Sequence, residues 1–152
     1  MKQLILQNAF LAEAANLLDE GCTVRVRIGG ESMFPFIRGG EDEVEIVPFV
    51  PGQSLPLWSC LFYQWRGRYM VHRYIGRNGD NYCMMGDGNL VQVEEVSAAD
   101  IKGVLKSIYH RDGTCQDCLD KQWLTKGKRW YRWRKFRRFL IPLIRITMPQ
   151  RN

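Results

Sequence analysis

At 152 residues, with 45% hydrophobic and 25% charged side chains, the chain has the size and balance of one folded domain with one core, and long disorder is excluded. Its five cysteines, Cys22, Cys60, Cys83, Cys115 and Cys118, are odd in number and scattered, which excludes a fully paired secreted disulfide framework and suits reduced thiols. The net charge of +6 is uneven: residues 1–120 hold 11 Lys/Arg against all 16 Asp/Glu, whereas residues 121–152 hold 11 Lys/Arg and no acid.

Leu4, Leu11, Ala15 and Leu18 recur at helical spacing, with Ile5 and Ala12 alongside and Gly21 as a stop. They predict an amphipathic helix over residues 3–19. Gln7, Asn8 and Glu13 break its apolar run, so it does not read as a signal peptide. No stretch reaches the ~20 apolar residues that span a bilayer. The expected location is the cytoplasm, free or peripheral on the inner membrane face.

Residues 22–28 alternate strictly, with Val24, Val26 and Ile28 on one face and Arg25 and Arg27 on the other, as a half-buried strand does. Gly29-Gly30 opens a turn, and residues 43–49 alternate again. Pro48, Pro51, Gly52 and Pro56 punctuate a loop. Strands are expected over 57–65 and 68–75, around Arg66-Gly67. Asn78-Gly79-Asp80 marks a hairpin leading into a strand from Tyr82. Segments 89–93 and 101–109 complete a mainly β body, read as residues 1–120 with the N-terminal helix. After His110 a polar connector leads into a basic, aromatic extension over 121–152, helical up to Pro142.

The segment with the most chemistry in it is Gly29–Gly40. A nucleophilic serine needs an exposed Oγ, a tight backbone approach and N–H groups for an oxyanion. Gly30 permits the tight backbone before Ser32, Pro35 fixes the exit, and Met33 and Phe34 offer an apolar wall. A serine in such a turn is more often a turn residue, so this segment alone does not establish catalysis. The chain has two histidines, His72 and His110, and His72 lies on a predicted strand before Arg73. Histidine is the side chain best poised as a base near neutral pH.

Taken in order, Gly30, Ser32, Met33, Pro35, Ile37-Arg38, then Val71-His72-Arg73, then Gly86-Asp87 and Asn89 resemble the boxes of type I signal peptidases and the SOS-repressor autopeptidases. The likeness covers roughly residues 24–109, and His-Arg in the second box is the form of the eukaryotic and archaeal-type signal peptidases. It implies a β-rich catalytic fold and a serine endopeptidase, with Ser32 as nucleophile, His72 as general base and the Ser32 N–H as oxyanion donor. Gly30, Met33 and Pro35 would shape the oxyanion and substrate region, and a peptide or small precursor would bind extended along a sheet edge. The third triad member is open, Asp87 first and Glu94 second. Glu31 departs from the small residue often found before the serine, and Gly39–Glu43 lengthens the following turn. The competing expectation is a catalytically silent relative that binds through its tail.

Cys115 and Cys118 have metal-ligand spacing, but zinc takes four ligands and only His110 is near in sequence, so no metal or cofactor is expected. In the tail, Trp130, Tyr131, Trp133, Phe136 and Phe139 interleave with Arg and Lys through residues 126–148. This mixture suits an anionic membrane surface first and nucleic acid second. Ranked between these two is the reading that Leu140, Ile141, Leu143, Ile144 and Ile146 pack back on the body. The oligomeric state is left open.

Overall fold

The computed structural model describes residues 2–148, with side chains from Asn8 onward. The chain forms a mainly β protein, an antiparallel sheet curled into a half-barrel between an N-terminal helix and C-terminal helices. Helix α1 spans Lys2–Asp19 and is followed by β1 (Val24–Arg27), β2 (Glu43–Pro48), β3 (Cys60–Trp65), β4 (Arg68–Asn78), β5 (Asn81–Met85), β6 (Glu94–Val96), β7 (Ile101–Tyr109) and β8 (Cys115–Asp117). Helices α2 (Lys121–Arg132) and α3 (Arg137–Thr147) close the chain. Strands run in the order β1-β2-β7-β3-β4-β5-β6, with β8 beside the end of β7.

Alternation decides which residues face inward. Val24 and Val26 are buried, whereas Arg25 and Arg27 face out and meet Glu43 on β2. Leu11, Ala14, Ala15 and Leu18 of α1 pack with them, with Val44, Ile46, Leu105 and Ile108, and with Cys60 and Phe62. Leu4 and Ile5, expected on the same helical face, lie outside the described side chains. The central strand β3 is buried on both faces: Leu61 and Tyr63 join a second cluster with Tyr74, Tyr82, Met84, Val96 and Ile101. Fully buried side chains of this size contribute about 1.5–3 kcal/mol each, so the two clusters are the main favourable terms in folding.

Several expected boundaries move. The sixth strand is Glu94–Val96, not 89–93, because Glu94 and Val96 point inward while Leu90, Val91 and Val93 are exposed. The third begins at Cys60, since Trp58 takes a left-handed conformation (φ 76°) that interrupts an extended run. The connector after His110 contains β8 and ends where α2 starts at Lys121. Helix α3 continues through Pro142 to Thr147; Pro142 is exposed, so the carbonyl it leaves unbonded faces solvent. Nor is the extension separate from the body: Trp123 lies in the core beside Cys118, and Gly127 abuts Arg73.

Between β1 and β2 the chain makes a loop pinched at its neck. The Gly40 N–H donates to the Ile28 carbonyl at 2.8 Å, and Gly39 lies so close to Gly30 that a Cβ on Gly39 would overlap the Gly30 backbone. Gly39→Ala is therefore expected to destabilise the fold by about 1–3 kcal/mol, the cost of forcing atoms into a packed site. Urea denaturation would report it as a lower midpoint at unchanged slope.

Candidate active site

Ser32 sits in the pinched loop, half-buried, with the buried Met33, Phe34 and Ile37 after it. The loop turns through Phe34 N–H to Glu31 carbonyl (3.1 Å) and Ile37 N–H to Met33 carbonyl (3.0 Å). Its apolar residues point into the body: Met33 and Ile37 belong to the main core, and Phe36 packs against it. Met33 therefore anchors the serine loop and does not line the cavity described below. Pro35, half-buried after a cis peptide, does not line the cavity described below. Gly30 does.

Residues 86–89 hold Ser32 from the other side. The Gly88 N–H donates to the Ser32 carbonyl at 2.8 Å. A Cβ on Gly86 would come within 2.5 Å of that same carbonyl oxygen, and one on Gly88 would collide with the Glu31 carbonyl. The two glycines let two backbones touch, a role only a residue without a side chain can fill.

On β4 the pleat sends neighbours to opposite faces. His72 pairs in register with Leu61 and faces Tyr63 and Glu94; Arg73 pairs with Cys60 and faces the other way. His72 Nδ1 lies 2.6 Å from Glu94 Oε1, with both side chains buried. Tyr63 Oη is 3.0 Å from the same Nδ1 and 3.4 Å from Glu94 Oε1. His72 Nδ1 thus faces both the Glu94 carboxylate and the Tyr63 hydroxyl, and the Tyr63 O–H donates to Glu94 Oε1. Burial, and then the Glu94 charge, push the Tyr63 hydroxyl upward, which keeps it a neutral donor. In the Nδ1–H tautomer, Nε2 is the nitrogen left free to accept a proton.

Asp87, the first candidate for the triad acid, is engaged elsewhere. Its Oδ1 and Oδ2 accept from Arg73 Nε (2.8 Å) and Nη2 (2.7 Å), a buried bidentate pair. Burial would pull the Arg73 guanidinium down, but Asp87 overrides that and Arg73 remains charged. The carboxylate on His72 is Glu94.

Ser32 and His72 line one cavity of about 790 Å3, with Gly30, Glu31 and Asn89 on its rim and α1 as its far wall. Its floor includes Arg68–His72, the stretch of β4 that β5 leaves unpaired, since β5 joins β4 only from Arg73 onward. Arg66 and Gly67 form a two-residue turn with positive φ at both positions (51° and 73°), which makes Trp65 and Arg68 the hydrogen-bonded pair. The alternation then turns the N–H and C=O of Tyr69 and Val71 away from β3 and toward the cavity. Asn8 of α1 already accepts the Tyr69 N–H at 3.3 Å.

The C-terminal helices reach the same loops, which the sequence did not suggest. Arg137, buried, donates through Nη1 to the carbonyls of Gly86 (3.0 Å) and Asn89 (2.9 Å), and Trp130 Nε1 donates to the Asp87 carbonyl (2.8 Å). Burial pulls the Arg137 guanidinium down to about 10, leaving it charged at neutral pH. Arg145 meets Glu31 at 3.5 Å and lies over Phe34. Among the described residues no three His, Cys, Asp or Glu are grouped to hold a metal ion. All five cysteines are free, and burial pushes the Cys60 thiol up to about 12 and Cys118 upward too. No family model matches the chain, and no curated protein matches it.

Asp87→Ala is expected to cost about 3–5 kcal/mol of folding stability, because it strands the Arg73 charge in the core. Adding Arg73→Met should recover part of that loss. A double-mutant cycle by urea denaturation measures the coupling.

Proposed function

We propose that the chain is a serine endopeptidase in which Ser32 is the nucleophile, His72 the general base and Glu94 the carboxylate that orients it. The observation that carries this reading is the buried 2.6 Å contact between His72 Nδ1 and Glu94, on the wall of a cavity that Ser32 also lines. The resemblance of the three sequence boxes to the signal-peptidase relatives supports the same reading.

In the proposed mechanism Ser32 Oγ attacks the scissile carbonyl and His72 Nε2 takes the hydroxyl proton. The imidazolium so formed is stabilised by Glu94, which stays ionised. The tetrahedral oxyanion takes the Ser32 N–H, which meets no protein acceptor among the described residues. His72 then returns the proton to the leaving amine, freeing it and leaving an acyl-serine. Water, deprotonated by His72, hydrolyses that ester. The substrate would lie extended on the free edge of β4 and bond the backbone of Tyr69 and Val71. The Glu31 carboxylate at the rim would disfavour acidic side chains next to the cut.

The test is covalent labelling of the purified protein by a broad serine-hydrolase probe and by a lipopeptide-type signal-peptidase inhibitor, read by intact mass. The expected result is one adduct on the wild type and none on Ser32→Ala or His72→Ala over the same time. Glu94→Gln should label about 10²- to 10⁴-fold more slowly, the range for loss of base orientation. An adduct that survives Ser32→Ala, or no adduct from either reagent on folded protein, contradicts the proposal. The latter outcome favours a silent binding module.

A further inference from the structure

We infer that the outer face of α3 docks onto a bilayer surface rich in anionic lipid. The inference stands apart from the hydrolase reading, since none of its residues is assigned to catalysis.

Helix α3 has two unlike faces. It is held on the body by the buried Arg137 and by Arg145, while Ile141 and Ile144 are half-buried. Its outer face carries Phe139, Leu143 and Ile146, 63%, 57% and 81% exposed, at positions four and then three apart. Residues at that spacing form one stripe along a helix. Trp133 and Phe136, each 53% exposed and packed together at 5.6 Å, extend it from the preceding turn. Single exposed apolar residues are ordinary, but five in one run mark a contact surface.

The occupant follows from charge and side-chain type. Arg138 lies over Phe139, exposed Lys128, Arg129, Arg132 and Lys135 precede it in the chain, and residues 121–152 contain no acid. A second copy would bring two such cationic surfaces together, so like charge opposes pairing through this face. Nucleic acid would satisfy the charges and could stack on the aromatic rings, but Leu143 and Ile146 offer bases nothing to stack on. A membrane uses every component: aliphatic side chains enter the acyl boundary, rings sit among the headgroups, and Lys and Arg meet anionic lipid. At 1.5 Å per residue α3 is roughly 16 Å long, about half the hydrocarbon thickness, so it would lie in the interface. Among the described residues no helix is long and apolar enough to cross a membrane. The Arg145–Glu31 contact places this surface beside the cavity that Ser32 lines.

The experiment is co-sedimentation of the full chain with vesicles of phosphatidylcholine alone or with phosphatidylglycerol added. It compares wild type with the triple variant Phe139→Ser/Leu143→Ser/Ile146→Ser. Because those side chains are exposed, the variant should keep the wild-type circular dichroism and melting curve. The expected result is retention at least tenfold stronger on phosphatidylglycerol vesicles, reduced by high salt and lowered about tenfold or more in the triple variant. Retention unchanged in a folded triple variant would overturn the inference. So would absence of retention on anionic vesicles, whether accompanied by salt-sensitive oligonucleotide binding, by dimerisation that the variant abolishes, or by neither.

Discussion

The buried Arg73 guanidinium ties together four parts of the chain that are distant in sequence. It forks onto Asp87 in the loop that holds Ser32, donates to the Trp58 carbonyl ahead of β3, and lies over the rings of Phe36 of the serine loop and Trp123 of α2. Gly127 of α2 lies flat against it, with no room for a Cβ. A desolvated charge of this kind is costly unless every donor direction is used. Arg73 therefore restricts where the two loops and α2 can sit, and so it restricts Ser32.

The same strand carries the second buried pair. Because β4 alternates, the residue before Arg73 must face the other side of the sheet, where Glu94 arrives on β6 and Tyr63 on β3. One structural pair and one candidate catalytic pair thus occupy adjacent positions without competing for a partner. Three hydrogen bonds hold the Asp87 loop against the serine loop and α3: Gly88 N–H to the Ser32 carbonyl, and Arg137 Nη1 to the Gly86 and Asn89 carbonyls. The basic extension belongs to this framework, with its inner residues buried and its apolar stripe left outside.

Much of this was legible in the sequence where it depended on local pattern. The alternation of Val24–Ile28 and Glu43–Phe49, the Arg66-Gly67 turn and the periodicity ending at Gly21 each specify an element without reference to a partner. Ser32 and His72 stood out by residue type and by resemblance. What could not be read was which carboxylate meets His72 and which meets Arg73. Asp87 and Glu94 are both acids downstream of His72, and only the opposite facing of His72 and Arg73 assigns them. The strand expected at 89–93 left Glu94 just outside it and ranked second, because exposed Leu90, Val91 and Val93 imitate a buried run. Trp123 and Arg137 read as members of a charged, aromatic tail; their burial depends on a body surface that exists only after folding.

The central claim is that Glu94 holds His72 with Nδ1 protonated and Nε2 free as a base. A long-range proton–nitrogen NMR spectrum of the neutral imidazole, with His72 assigned by comparison with His72→Gln, tests it most directly. The account predicts the Nδ1–H tautomer, with a downfield, exchange-protected Nδ1 proton that disappears in Glu94→Val. An Nε2–H tautomer, or an Nδ1 proton indifferent to Glu94, would contradict it.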